Sequence, residues 1–253
     1  MAWDPNLYLV YERYRRQPAV DLLARIDLDR PASVYDLGCG PGNVTALLKQ
    51  RWPEAEITGV DNSPDMLARA RAHYPAIRWT QENITTFTTA NADLIFSNAA
   101  FNWVPDHGKL VAGLAKSLAT GGVLAVQMPR NYAQPSHAEI VACVESLPAR
   151  HALRPLIAFA HVQPPAFYHD ILTPLVEEME MWETNYIHVL HGDDPVLEWV
   201  MGTALRPVVE ALEGIEKESF VEDMRQRYRA AYPKQPDGTT LFAMQRLFVL
   251  ARR

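Results

Sequence analysis

Only two of the 253 residues are cysteines, Cys39 and Cys143. That number excludes a disulfide framework and a set of thiolate zinc ligands. No run reaches the ~20 apolar residues that span a bilayer. The start, Met1-Ala2-Trp3-Asp4-Pro5, has no basic stretch leading into an apolar one, so no signal peptide is expected and the chain reads as cytoplasmic. Positive charge is also scarce. Lys and Arg total 24 against 30 Asp and Glu, a formal net charge of -6, and basic residues cluster no further than pairs such as Arg15-Arg16. A nucleic-acid partner, which needs a basic face, is therefore not expected. The chain contains no H-E-x-x-H, nucleophile elbow or P-loop, and no internal repeat. His188 and His191 lack a third ligand at a recognisable spacing; they read as surface or pocket histidines, and no metal site is expected. The chain is rich in core material: 48% of residues are hydrophobic, and six Trp and ten Tyr can line a closed pocket.

Against that background one segment stands out, Val34-Tyr35-Asp36-Leu37-Gly38-Cys39-Gly40-Pro41-Gly42-Asn43. A short apolar strand runs into three glycines at alternate positions, and a helix follows. Glycine serves where a turn needs positive φ or a ligand approaches bare backbone. A second strand, Ile57-Thr58-Gly59-Val60, ends in Asp61. A glycine turn paired with a carboxylate one strand later marks a nucleoside-binding α/β domain. Dinucleotide enzymes use G-x-G-x-x-G, with a helix N-terminus on the pyrophosphate. Here the spacing is G-x-G-x-G, Asp36 precedes it, and no Lys or Arg lies in the turn. Such a turn suits a ligand with cationic groups and no phosphate, which describes S-adenosylmethionine. D-x-G-x-G-x-G resembles the first motif of the class I S-adenosylmethionine-dependent methyltransferases.

Candidate cofactor residues follow from where strands end. Asp36, Gly38, Gly40 and Gly42 form the turn, with Asp36 expected to face the crevice and Cys39 to be a small packing residue. Asp61 is expected to accept from the ribose hydroxyls, with Asn62 beside it. Met66 is placed either against the adenine or in ordinary helix core. Asn83 by its side chain and Ile84 by its backbone are expected at the adenine. Asn98 and Ala99, at the end of strand four, are expected to line the methionine part, with Trp103 over it.

Strands are expected at 34–37, 57–60, 77–79, 93–97, 123–128, 181–189 and 245–250, alternating through the first half with helices at 44–51, 63–72 and 110–118. Such alternation predicts a doubly wound, mostly parallel seven-stranded α/β sheet. Pro18 is expected to split the N-terminal helical stretch into two short helices. Helices are also expected at 138–147, 168–178, 195–200, 208–212 and 220–231. The whole chain reads as one domain: N-terminal helices over the site (1–30), a cofactor-binding core (31–130), connecting helices (131–180) and a helical cap (190–240) between the last two strands.

Beyond the generic turn, several segments carry a closer resemblance. Asp4-Pro5-Asn6-Leu7-Tyr8, the turn from Asp36 to Asn43, Thr45-Ala46-Leu47-Leu48, Arg51-Trp52-Pro53, Gly59-Val60-Asp61-Asn62-Ser63-Pro64, Trp103-Val104-Pro105-Asp106-His107, Gly122 to Pro129, Leu205-Arg206-Pro207 and Arg246-Leu247-Phe248 are similar to the trans-aconitate 2-methyltransferases, over nearly the full length. The resemblance implies methyl transfer from S-adenosyl-L-methionine to one carboxylate of trans-aconitate, giving a monomethyl ester and S-adenosyl-L-homocysteine. An ionised carboxylate needs no general base, so no catalytic base is expected. The substrate, a small tricarboxylate, needs arginine and neutral donors. The candidates for positioning it are Arg206, Tyr132, Asn131, Tyr8 and Trp103. Arg206 has a plain alternative as a surface ion pair, and Arg246 reads as a structural strand residue. A different small acceptor, or cofactor binding without turnover, stays open, as does the oligomeric state.

Overall fold

The structure, a computed structural model, describes residues 12–157 and 162–253. Seven strands form one sheet, and around it the chain divides into two compact units. The larger unit comprises residues 12–129, 162–183 and 247–253 of the described chain; the smaller comprises 130–157 and 184–246.

In the larger unit α1 (Glu12–Arg25) precedes β1 (Ser33–Leu37), α2 (Asn43–Arg51), β2 (Glu56–Asp61), α3 (Pro64–His73), β3 (Arg78–Gln81), β4 (Ala92–Asn98), a 3₁₀ turn (Phe101–Trp103), α4 (His107–Lys116) and β5 (Leu118–Pro129). The β1–β2, β2–β3, β1–β4 and β4–β5 pairs are parallel. Residues such as Val34, Leu37, Leu94, Ile95, Phe96, Leu124 and Ala125 are wholly buried, because a parallel sheet is covered on both faces. Later come α5 (Pro135–Ser146), α6 (Arg150–Leu153) with a 3₁₀ turn, α7 (Pro165–Leu172), β6 (Glu178–Leu190), α8 (Pro195–Met201), α9 (Arg206–Ala211), α10 (Gly214–Ala231) and β7 (Thr240–Arg252). The strand order is β3-β2-β1-β4-β5-β7-β6. Arg253 N donates to Gly122 O (2.9 Å) and Arg130 N to Gln245 O (2.9 Å), so β7 runs antiparallel to β5. The order reverses between β1 and β4, the switch point where open α/β sheets bind ligands.

Several expectations shift. Pro18 lies inside one continuous helix, α1, rather than between two. Pro18 and Ala19 are buried, together with Leu22, so packing of this face outweighs the missing hydrogen bond. Helix α4 runs 107–116, not 110–118, because Asp106 caps its start and Leu118 already belongs to β5. The helix expected over 168–178 runs instead over Pro165–Leu172: Thr173 still donates to His169 O (2.9 Å), and Pro174 has no N–H to carry the ladder further. The strands β5, β6 and β7 are longer than their apolar runs. β6 alternates exposed and half-buried residues along much of its length, which leaves no continuous apolar signal.

The smaller unit is built on α5 against α10. Ile140, Cys143 and Val144 on one helix and Phe220, Met224 and Tyr228 on the other are buried. Arg227 joins them electrostatically, bonded to Glu139 (3.0 Å) and Asp223 (3.1 Å).

Candidate active site

The glycine turn sits at the C-terminal end of β1, and each glycine has its own reason. Gly38 has φ +74°, and a Cβ there would fall 2.1 Å from the Ala100 Cβ. Gly42 has φ +87°, and its Cβ would fall 2.6 Å from the Trp79 ring. Gly40 is different: φ is +55°, yet among the described residues no atom beyond its chain neighbours lies within 4 Å of where its Cβ would be. Bare backbone facing open space is what a ligand approaching the turn requires. The turn is fixed from below by Gly38 N and Cys39 N donating to Val60 O at 2.8 and 3.0 Å.

Asp61 ends β2 and reaches across to the turn. Its Oδ2 accepts from Gly40 N (2.8 Å) and its Oδ1 from Ser63 N (2.8 Å). Each carboxylate oxygen can accept more than one hydrogen bond, so both can also take hydroxyl donors. Ser63 in turn caps α3, accepting from Met66 N (3.3 Å), with Pro64 in the first turn. Asn62 is exposed and Met66 half-buried on this helix start.

Asp36 departs from expectation. It does not face the crevice: it is 1% exposed, and its carboxylate accepts from Thr45 Oγ1 on α2 at 2.6 Å. Burial pushes this carboxyl up to about 7, partly offset by the Thr45 hydrogen bond, with the nearby Asp61 charge adding to the rise. Asp36 therefore ties β1 to α2 and supports the turn from behind. Asn83 is exposed, but its Oδ1 is engaged by Thr85 N and Thr85 Oγ1, both at 2.9 Å, in a local Asx turn. Ile84 beside it is buried.

At the ends of β4 and β5 the backbone is unusual. Ala99 adopts φ +54°, a left-handed conformation costly for a residue with a Cβ, while its N–H donates to Gln127 O at 2.9 Å. Asn98 and Gln127 are register partners across the two strands. Asn98 Oδ1 and both amide atoms of Gln127 are buried with no hydrogen-bond partner among the described residues. Gln127 lies in a segment that carries the family resemblance, but the sequence assigns it no site role, because within Val126-Gln127-Met128 it looks like an ordinary strand residue.

Trp103 is 73% exposed, so its ring covers nothing among the described residues. In the orientation its neighbours dictate, the Asn102 amide accepts from Trp103 Nε1 (3.0 Å) and donates to Ala99 O (2.9 Å). The adjoining Val-Pro-Asp-His segment is structural: His107 Nδ1 meets Tyr168 OH at 2.6 Å and Nε2 meets Phe101 O at 2.8 Å. Tyr8 lies outside the described residues.

The smaller unit holds the remaining candidates. Asn131 (2% exposed) follows β5, and its Nδ2 lies 3.2 Å from His137 Nδ1. The Tyr132 and His137 rings meet edge to face at 5.3 Å. Burial pushes the Tyr132 phenol up to about 12, partly offset by the positive charge of Arg246. Burial lowers His137 to about 4. Burial, then Arg246, lowers His188 to about 4 as well, and His188 stacks on Trp199 at 5.2 Å. Arg246 is thus a buried cation, 8% exposed, close enough to Tyr132 and His188 to move both. Arg206 is exposed and ion-paired with Glu210 (2.8 Å) one helical turn on, the surface alternative. The sequence reading takes Arg246 as a structural strand residue and gives His137 no role, since nothing local announces that either is buried among these groups.

Among the described residues no group of three His, Cys, Asp or Glu could hold a metal, and no helix is long and apolar enough to cross a membrane.

Comparison with known proteins places this geometry. A family profile described as a methyltransferase domain matches residues 34–122. A trans-aconitate 2-methyltransferase of Azoarcus sp. (strain BH72) is 44% identical over 253 residues, covering 100% of this chain and 99% of that protein. One from Rhodopseudomonas palustris (strain BisB18) is 45% identical, covering 98% of each. Among solved structures, the YcgJ protein of Bacillus subtilis superposes with a TM-score of 0.62 at 13% identity, covering 94% of this chain and 98% of that one, a likeness of fold. Similarity at this level over the whole length shows that the chain belongs to the trans-aconitate 2-methyltransferase family.

Proposed function

We infer that the protein transfers the methyl group of S-adenosyl-L-methionine to one carboxylate of trans-aconitate, leaving S-adenosyl-L-homocysteine and a monomethyl ester. The observation that supports it most is the pairing of Asp61 with Gly40: a carboxylate held at the open face of a glycine turn that contains no phosphate-binding cation. The full-length similarity to relatives bearing that name supports the acceptor. An acidic chain without a basic cluster favours a small molecule over nucleic acid.

The cofactor supplies an electrophilic methyl on its sulfonium. In this reading Asp61 holds the ribose hydroxyls, the backbone around Gly40 lies against the ligand, and Asn83 uses its remaining amide donors toward the adenine. The acceptor oxygen is already ionised at neutral pH. The protein therefore contributes alignment and exclusion of water, and alignment alone can lower a barrier by about 7–11 kcal/mol. For the tricarboxylate we favour Arg246 with Tyr132 and Asn131 over Arg206. A buried guanidinium offers strong charge-assisted hydrogen bonds, whereas an exposed arginine already paired with Glu210 is screened.

The test is transfer of labelled methyl groups to trans-aconitate, with cis-aconitate, isocitrate and citrate in parallel. Strong preference for trans-aconitate is the expected result. No transfer to any of the four acids, with S-adenosylhomocysteine still bound, would discard the substrate and keep the cofactor.

A further inference from the structure

At the ends of β4 and β5 the buried polar atoms do not balance. Two acceptors, Asn98 Oδ1 and Gln127 Oε1, and one donor group, Gln127 Nε2, have no partner among the described residues, and Gln127 is wholly buried. Buried polar groups are almost always satisfied, and each exception asks for a ligand or another cause. Pairing the two side chains with each other does not clear the deficit. A bond from Gln127 Nε2 to Asn98 Oδ1 still leaves Gln127 Oε1 without a donor. Whatever completes this pair must bring N–H or O–H groups.

The candidates are few. A fully ionised tricarboxylate has no donor to give. The ribose hydroxyls belong with Asp61, which ends β2, three strand positions from β5 in the order β2-β1-β4-β5. That is about 14 Å at the usual strand spacing, of which Asp61 already spans the part from β2 to the turn after β1. The adenine amine belongs further out still, beyond β3. An α-ammonium carries three donors, and in S-adenosylmethionine it lies at the far end of the molecule from the adenine. The left-handed Ala99, held by Gln127 O, turns the chain immediately after Asn98. Strain at such a point is commonly kept where a ligand is bound.

We propose that the side-chain oxygens of Gln127 and Asn98 together receive the α-ammonium of the methyl donor, making Gln127 a cofactor-binding residue one strand beyond the expected site. The assignment rests on the cofactor reading and is independent of which acid is methylated. Two ligands separate it from a packing role. S-adenosylhomocysteine carries the ammonium; 5′-methylthioadenosine has the same adenosine and thioether without the amino-acid end.

Calorimetry on the full-length protein is the test, with Gln127→Met and Gln127→Glu. Gln127→Met should weaken S-adenosylhomocysteine about ten- to a hundredfold, the scale of a hydrogen bond to a charged group. It should leave 5′-methylthioadenosine binding within twofold. Gln127→Glu, which keeps the acceptor and adds a matching charge, should restore most of the lost affinity. Equal losses for both ligands, or S-adenosylhomocysteine affinity unchanged in Gln127→Met, would overturn the assignment. So would a change confined to the KM of the acid, which would move Gln127 to the acceptor. Wild-type protein binding neither ligand would overturn the cofactor reading itself.

Discussion

The two units offer different materials to the two ligands proposed for them. The larger one presents mainly backbone: the positive-φ glycines of the turn, an open face at Gly40, and Asp61 bonded to two N–H groups. The smaller one presents side chains gathered from distant sequence positions, Asn131 and Tyr132 after β5, His137 on α5, His188 on β6 and Arg246 on β7. Backbone-built sites leave a mark in sequence, because glycine adopts the conformation at the least cost. Side-chain clusters leave none, because each member sits in an unremarkable local context.

The sharpest way to break the backbone half is Gly38→Ala. Its new methyl would fall 2.1 Å from the Ala100 Cβ at a φ of +74°. Overpacking and left-handed strain together should cost about 3 kcal/mol or more, read as a lowered denaturation midpoint; a midpoint like wild type would show that the turn relaxes freely. Asp36→Asn tests the support behind the turn. The carboxyl lies near 7 in the fold against 3.8 unfolded. Its stabilising contribution is complete below pH 3.8 and is lost as pH rises through 7. The variant should gain stability relative to wild type progressively from pH 4 to 8, in denaturation curves taken across that range. A constant difference would mean that Asp36 is ionised throughout. The smallest effect should come from Arg206→Ala, within about 1 kcal/mol for an exposed pair and with little change in the KM for trans-aconitate. A large rise in KM would transfer the acceptor role from Arg246 to Arg206.

The same contrast explains what the sequence disclosed. The order and parallel pairing of the first five strands follow from short apolar runs between capped helices, as with Ser63-Pro64 before α3. The glycine turn and Asp61 were legible for the reason given above. Asp36 was misplaced because a carboxyl at a strand end reads the same whether it faces solvent or a helix; only Thr45 at 2.6 Å decides. The continuity of α1 through Pro18 was hidden because helix breaking is a local rule and the packing that overrides it is tertiary. The Val-Pro-Asp-His segment carried the family resemblance, and its His107 joins Tyr168 and Phe101.

The central claim is a division of labour: Asp61 binds the methyl donor and Arg246 binds the acid. Measuring S-adenosylhomocysteine affinity and trans-aconitate KM for Asp61→Ala and Arg246→Met tests it most directly. Asp61→Ala should weaken S-adenosylhomocysteine by about 1–3 kcal/mol with the KM for the acid little changed. Arg246→Met should raise that KM at least tenfold and leave S-adenosylhomocysteine binding intact. Both variants moving both quantities together, or neither moving its own, would contradict the account.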